Sequence, residues 1–345
     1  MRTSYFQSIL KKKRIDLAFL VHPDPYVTYF TKKEWSYSLL LIKQSNVQLF
    51  TTKLDQLPKI KGIIVKELTK DWNKKLPKSV KVVGLNYSSV TVSVFKKIKS
   101  FFPKAKFIDL SKELGETREI KTRDEIKAIK KACVIADNAF QGAIKQISLK
   151  KLHTEKEVAT YIEAFIRSKG AEPSFPTIVA GGKNAAVPHY VTGKDKLQRG
   201  FLLFDLGAKI DNYCSDLSRT IFLGIPTKEE KKIYNILLEA QKSAFSSAKE
   251  GLLFGDLDIE VRKKLGQYSS NFIHSLGHGV GIEIHERPNF LMESKQQIKQ
   301  NQVFTIEPGI YFYNKFGIRI EDTVVFNKKV VALTKSPKEL IILPR

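Results

Sequence analysis

The 345-residue sequence predicts a small α/β domain followed by a larger α+β domain with helices packed on an antiparallel sheet. Three observations lead there. The chain exceeds the roughly 250–300 residues that one hydrophobic core supports. Up to about Leu110, short β-rich apolar runs alternate with polar, Lys-rich segments. Beyond Lys121, helix-start signals open long amphipathic stretches, and β-rich runs lie between and after them.

The first domain is assigned to residues 1–112, with strands expected at Leu17–Val21, Ser38–Ile42, Val47–Phe50, Gly62–Val65 and Val80–Gly84. Residues 113–121 are polar, contain Gly115 and read as a linker. The second domain is assigned to 122–345. Thr122 and Glu125 have capping-box spacing, and Ile126, Ile129, Cys133, Ala136, Phe140 and Ile144 follow as a helical stripe. Thr154 with Glu157 opens a helix through Ile162 and Phe165. Thr227 with Glu230 opens another through Ile233, Leu237 and Phe245. Between these two, Gly200–Ala208 and Asn212–Leu223 flank a short Asp/Asn turn, the pattern of a hairpin. Strands dominate again from Val303 to Leu343, and no repeat with a 20–50-residue period is present.

Hydrophobic content of 42% and charged content of 27% are ordinary for a globular protein. The formal charge of +24 is uneven: residues 1–112 carry 23 Lys/Arg against 7 Asp/Glu. The basic residues are scattered lysines without aromatic interleaving or a nucleic-acid motif. A solvated Lys-rich surface is therefore preferred over nucleic-acid binding. The apolar runs are far short of the ~20 residues of a membrane span, and the start has no signal-type apolar stretch. Two cysteines give neither a disulfide framework nor a thiolate zinc site, so a reducing, cytoplasmic location is expected.

Five side chains stand where such groups are expensive. Asp205 follows the apolar run in GFLLFDLGAK, and Asp216 lies on the other arm of the expected hairpin. His278 lies in SLGHGVGIEIHE, Glu307 in VFTIEPGIY and Glu321 in FGIRIEDTVVF. Each alone is more often a turn, capping or structural residue than a ligand. Together, four acids and an imidazole in β-rich surroundings need counter-charge, because burial penalises unpaired carboxylates. Two divalent ions supply it. Oxygen-rich ligation with one imidazole suits manganese, cobalt, iron or zinc. Two such ions about 3.5–4 Å apart can share a water and clamp a carbonyl. Gly277, Gly279 and Gly281 lack the Lys-Ser/Thr of a phosphate loop, which excludes nucleotide binding. His274 reads as support for the site rather than a ligand. His22 and His153 read as surface or capping residues, and Tyr190, Tyr213 and Tyr311 as core or pocket lining.

The segments EPSFPTIVAGGKNAAVPHY, LLFDLGAKIDNYCSDLSRT, HSLGHGVGIEIHERP, FTIEPGIY and GIRIEDTVV, in this order, resemble the pita-bread metallopeptidases. This family comprises methionine aminopeptidase, Xaa-Pro aminopeptidase and Xaa-Pro dipeptidase (prolidase). The resemblance covers roughly residues 118–330. IDLAFLVHPDPYVTYFT more weakly resembles the creatinase/prolidase N-terminal domain and favours the Xaa-Pro branch. The resemblance implies a pita-bread catalytic domain with two divalent metal ions, manganese first, held by Asp205, Asp216, His278, Glu307 and Glu321. It implies that Asp216 and Glu321 bridge both ions and that Glu307 shuttles the proton. His189 and His285 would face the substrate, and Arg319 would orient Glu321 or bind a substrate group. Short proline-containing peptides and a homodimer are the implied partners. Dipeptidase is preferred over aminopeptidase, on the compact length and the basic first domain. A metal-free creatinase-like amidinohydrolase and a non-catalytic binding protein are remoter, because no ligand position is missing.

Overall fold

The computed structural model describes residues 2–291 and 293–344. The chain forms two compact units, Met1–Arg118 and Glu119–Arg345.

The first unit is built on a six-stranded sheet. Its strand order is Ile64–Glu67, Val47–Thr51, Ser38–Lys43, Leu17–Val21, Val82–Leu85, Lys106–Asp109. Leu17–Val21 runs antiparallel to Ser38–Lys43 and parallel to Val82–Leu85, so the sheet is mixed. The two central strands are almost wholly buried, which is why they read as unbroken apolar runs. Phe19, Leu39, Phe50 and Leu85 pack with Ile98 and Phe102 of the helical segment beside the sheet. All five expected strands form. Ile64–Glu67 and Val82–Leu85 begin two residues later than expected, and an edge strand, Lys106–Asp109, adds the sixth.

The segment 113–121, expected as a linker, is instead mostly helical within Ser111–Glu119. Its composition is polar, but Leu114, Thr117 and Arg118 are buried, and the Thr117 hydroxyl donates to the Glu113 carbonyl. Arg118 lies over the Tyr26 ring at 4.3 Å, so a polar side chain here does the packing that an apolar one would have signalled.

The second unit has two helix pairs, each on its own sheet. Arg123–Ser148 and Glu155–Ser168 cover a sheet ordered Ile342–Leu343, Leu217–Leu223, Gly200–Leu206, Ile178–Gly181. Phe140 meets Phe204 edge-on, with ring centroids 5.3 Å apart. Lys228–Ser247 and Phe254–Leu265 cover a sheet ordered Glu286–Asn289, His278–Gly279, Val303–Ile306, Asp322–Asn327, Lys329–Ala332, together with the hairpin Gly309–Phe312/Phe316–Arg319. All three capping boxes are present, each with reciprocal side-chain and backbone bonds.

The expected hairpin forms in two stages. Gly200–Leu206 pairs with Leu217–Leu223, and Ala208–Ile210 then pairs with Tyr213–Cys214 around Asp211 and Asn212, both at positive φ. The joint is Gly207, where a Cβ would lie 2.0 Å from the Ser215 carbonyl oxygen. Only glycine permits that approach.

Candidate metal centre and active site

The sheets bring the five expected ligands to one end of the second unit. Asp205 lies opposite Ser218 in the paired strands, and Asp216 immediately precedes the second of them. The Asp216 backbone is fixed by Thr323, whose hydroxyl accepts from its N–H at 3.0 Å and donates to its carbonyl at 2.7 Å. Glu307 follows Val303–Ile306, and Glu321 precedes Asp322–Asn327; Ile306 and Asp322 are register partners, so these acids leave adjacent strands together.

His278 sits on a two-residue strand between neighbours on both sides. A Cβ on Gly277 would lie 2.2 Å from the Thr305 carbonyl oxygen, and one on Gly279 2.2 Å from that of Arg287. The His278 N–H donates to Thr305 Oγ1 at 3.0 Å, and Thr305 Oγ1 donates to Glu307 Oε1 at 2.9 Å.

Ligand atoms of Asp216, His278 and Glu321 all lie within 4.8 Å of one another. His278 Nε2 is 3.4 Å from Asp216 Oδ2 and 3.3 Å from Glu307 Oε1. Its Nδ1 faces the Gly279 carbonyl at 3.1 Å, which calls for a proton on Nδ1. In the neutral ring Nε2 then presents a lone pair to two carboxylates, the tautomer of a metal-ligating imidazole.

The acids are short of partners. Asp205 Oδ1 and Glu321 Oε1 are buried and have no hydrogen-bond partner among the described residues. Burial pushes Asp216 well above the usual carboxylate range, reinforced by the charges of Asp205 and Glu307. Burial does the same to Glu321, reinforced by Asp216, Glu307 and Asp205. Asp205 is raised by burial against the opposing pull of Arg319. Two orphaned carboxylate oxygens, mutually repelling acids and an imidazole lone pair fit divalent cations, which complete such a donor set.

Arg319 is buried and turned toward the ligands. Nη2 donates to Asp205 Oδ2, Nε to Ser218 Oγ at 2.7 Å and Nη1 to the Tyr311 hydroxyl at 2.9 Å. Ser218 Oγ in turn donates to Glu321 Oε2 at 2.6 Å. Arg319 thus reaches Glu321 through Ser218. Burial opposes the Arg319 charge, but Tyr311, Asp205 and Glu321 outweigh it and keep the guanidinium protonated.

His274 supports this network from behind. Its Nδ1 faces the Ser275 carbonyl at 2.8 Å and its Nε2 the Tyr311 hydroxyl at 2.9 Å. Burial lowers the His274 pKa and raises that of Tyr311 to about 12, so a neutral ring accepts from a protonated hydroxyl.

The five expected ligands open into a cavity of about 580 Å³. Phe175, Pro176, Ile178, Pro188 and Ile284 give it an apolar wall, and His189 and His285 line it. The His285 ring lies 4.2 Å from that of His278, and burial is the largest of the causes that lower its pKa. Its turn is anchored by Glu286, which accepts from Lys121 Nζ at 3.0 Å in a pair shielded from solvent. His189 is exposed on the loop after Gly182–Ala186. The sequence reading missed Ser218 and Thr305. Their neighbours 103 and 27 positions away exist only once the strands pair, so no local signal could have found them.

Residues 127–328 match metallopeptidase family M24, and residues 2–120 match the creatinase/prolidase N-terminal domain. This chain belongs to metallopeptidase family M24. Its second unit has the family's pita-bread fold. Over 341 residues, 96% of each chain, it is 37% identical to the Xaa-Pro dipeptidase of Pyrococcus horikoshii. Over 270 residues, 76% of each chain, it is 41% identical to the Xaa-Pro dipeptidase of Pyrococcus furiosus. The crystal structure of the prolidase from Pyrococcus horikoshii OT3 superposes with a TM-score of 0.92 over 99% of both chains at 34% identity.

Proposed function

We propose that this M24 family member is a metal-dependent Xaa-Pro dipeptidase. The observation that carries this is the convergence of orphaned acid oxygens and the His278 lone pair at the floor of a cavity with apolar walls. The similarity to Xaa-Pro dipeptidases along nearly the whole chain supports the substrate class. Asp205, Asp216, His278, Glu307 and Glu321 would hold two divalent ions, with manganese preferred and cobalt, iron or zinc also suited to the donors. Such ions supply Lewis acidity, which acidifies water and polarises a carbonyl.

The chain's own groups do the rest. Glu307 takes a proton from the attacking water and returns it to the leaving amine. His189 and His285 face the bound peptide and donate N–H bonds to its carbonyl oxygen as negative charge develops there. Arg319 and Ser218 hold Asp205 and Glu321 in place while this happens. Proline has no amide N–H, and its ring needs an apolar surface rather than a hydrogen-bond acceptor. The wall of Phe175, Pro176, Ile178, Pro188 and Ile284 provides that surface.

A homodimer in the cytoplasm completes the proposal. Both cysteines are buried and free, as suits a reducing compartment, and no helix among the described residues is long and apolar enough to cross a membrane.

The test compares Ala-Pro with Ala-Pro-Ala before and after chelation. Hydrolysis of Ala-Pro that is lost on chelation and restored by Mn²⁺ is expected. Turnover that survives chelation, or cleavage of the tripeptide alone, overturns the reading.

A further inference from the structure

We infer that Glu155 is a positioning residue that sets His189 over the site by fastening both ends of its loop. The inference rests on the proposed role of His189 as a substrate-facing group. Glu155 begins the helix Glu155–Ser168, a place where acids normally lie in solvent, yet it is only 1% exposed. Among the described residues, no cation pairs with its carboxylate. Oε1 accepts from the Gly181 N–H at 2.6 Å and from Asn184 Nδ2 at 3.0 Å. Oε2 lies 3.3 Å from the same amide. The Tyr190 hydroxyl lies beside this carboxylate, and each acts on the other's titration. All three groups belong to one stretch of chain. Gly181 ends a strand, Asn184 lies in the turn Gly182–Ala186, and Tyr190 directly follows His189.

The His189 ring has no hydrogen bond of its own among the described residues, so its placement is inherited from this backbone. Other contacts tighten the same loop. Val187 N–H donates to the Asn184 carbonyl and Tyr190 N–H to the Val187 carbonyl, both at 3.1 Å. Beyond it, Thr192 Oγ1 accepts from the Val179 N–H at 2.8 Å. Asn184 Nδ2 also donates to Asp195 Oδ2 at 2.7 Å, and the Glu155 N–H donates to the Asp195 carbonyl at 3.0 Å. Among these groups, Glu155 is the one that reaches the start, middle and end of the loop from a rigid helix. A carboxylate does this because it offers about four acceptor sites and no donor. An amide of equal size offers acceptors on one atom only.

The test uses the metal-loaded full chain with ¹³C/¹⁵N-labelled histidine. In Glu155→Gln and in Tyr190→Phe the His189 ring resonances are expected to shift or broaden while those of His285 stay in place. On Ala-Pro, Glu155→Gln is expected to lose about 10–100-fold in kcat, the usual cost of losing a supporting residue, with KM and Mn²⁺ affinity held within about 2-fold. Tyr190→Phe should show a smaller loss of the same kind and leaves the carboxylate in place if Glu155→Gln folds poorly. Adding His189→Ala to Glu155→Gln should cost little beyond the larger single loss, since both act through one group. Unmoved His189 resonances in both variants, or losses that multiply, overturn the inference. Full activity in His189→Ala overturns the premise instead, and wild-type turnover of Ala-Pro keeps that failure separate from failure of the dipeptidase reading.

Discussion

Glu321 and Asp322 are consecutive, both buried, and opposite in their circumstances. Asp322 Oδ1 accepts from Arg219 Nη2 at 2.7 Å and from Thr334 Oγ1 at 2.8 Å. Its Oδ2 accepts from Lys338 Nζ at 2.6 Å and from Gln241 Nε2 at 3.1 Å. Burial works against the Asp322 charge, but Arg219 and Lys338 outweigh it and hold the carboxyl below its ordinary range. Among the described residues, Glu321 has one hydroxyl donor, an oxygen with no partner and three acids nearby, and it is pushed far the other way. Strand geometry sends successive side chains to opposite faces, and here one face is finished by the chain's own cations while the other is not. The difference separates an acid satisfied by the chain's own cations from one that, on the proposed reading, an exogenous cation would satisfy.

The largest effect that tests this contrast is on activity. Glu321→Gln should lose more than the roughly 100-fold that loss of a merely supporting residue costs, together with most Mn²⁺ binding by calorimetric titration. Near-normal affinity in that variant would erase the distinction.

Asp322→Ala leaves the buried Arg219 and the half-buried Lys338 without their counter-charge and should cost about 3–5 kcal/mol in urea unfolding. The loss should be equal with chelator and with metal. Glu321→Gln, measured in chelator, should not destabilise, because it removes a repelled charge. Ser218→Ala sharpens the comparison at the join between the two regions. Mn²⁺ affinity should fall by about 10–100-fold, with a change of only about 1 kcal/mol in the chelated protein.

The smallest effect is in pH dependence. Glu321 and Asp216 have raised folded pKa values, so in the chelated protein their contribution favours folding at acid pH and is lost as pH rises towards those values. Asp322 has a lowered value, so its contribution is present above the ordinary carboxylate range and lost as pH falls through the folded value. Stability curves should therefore show the gap between metal-loaded and chelated protein narrowing from pH 8 to pH 5. A gap that widens on acidification contradicts the assignment of Glu321.

What could be read in advance was whatever local chemistry announces. The three capping boxes, the Asp211–Asn212 turn and the buried strands carry their signals within a few residues. The five acid and imidazole positions were conspicuous because each lies inside or beside an apolar β-rich stretch, and the fold brings them to one cavity. Elements without such marks were missed. Arg2–Lys12 buries only Phe6 and Leu10 among its residues, and Phe254–Leu265 starts at Leu253 with no side-chain cap. Ser218, Asp322 and Glu155 depend on partners far along the chain, and the identity of those partners is a property of strand register. Asp322 stood beside a recognised acid and was passed over, since sequence alone cannot tell which neighbour will meet an arginine.

The packing around His278 bears on which ions the site will tolerate. With Gly277 and Gly279 pressed against the carbonyls of Thr305 and Arg287, the backbone that carries His278 has little room to shift. If the five residues hold ions as proposed, adjustment to ionic size falls to side-chain torsions, and Arg319, Thr305 and Ser218 restrain those of Asp205, Glu307 and Glu321 in turn. Such a mounting would favour ions of similar radius.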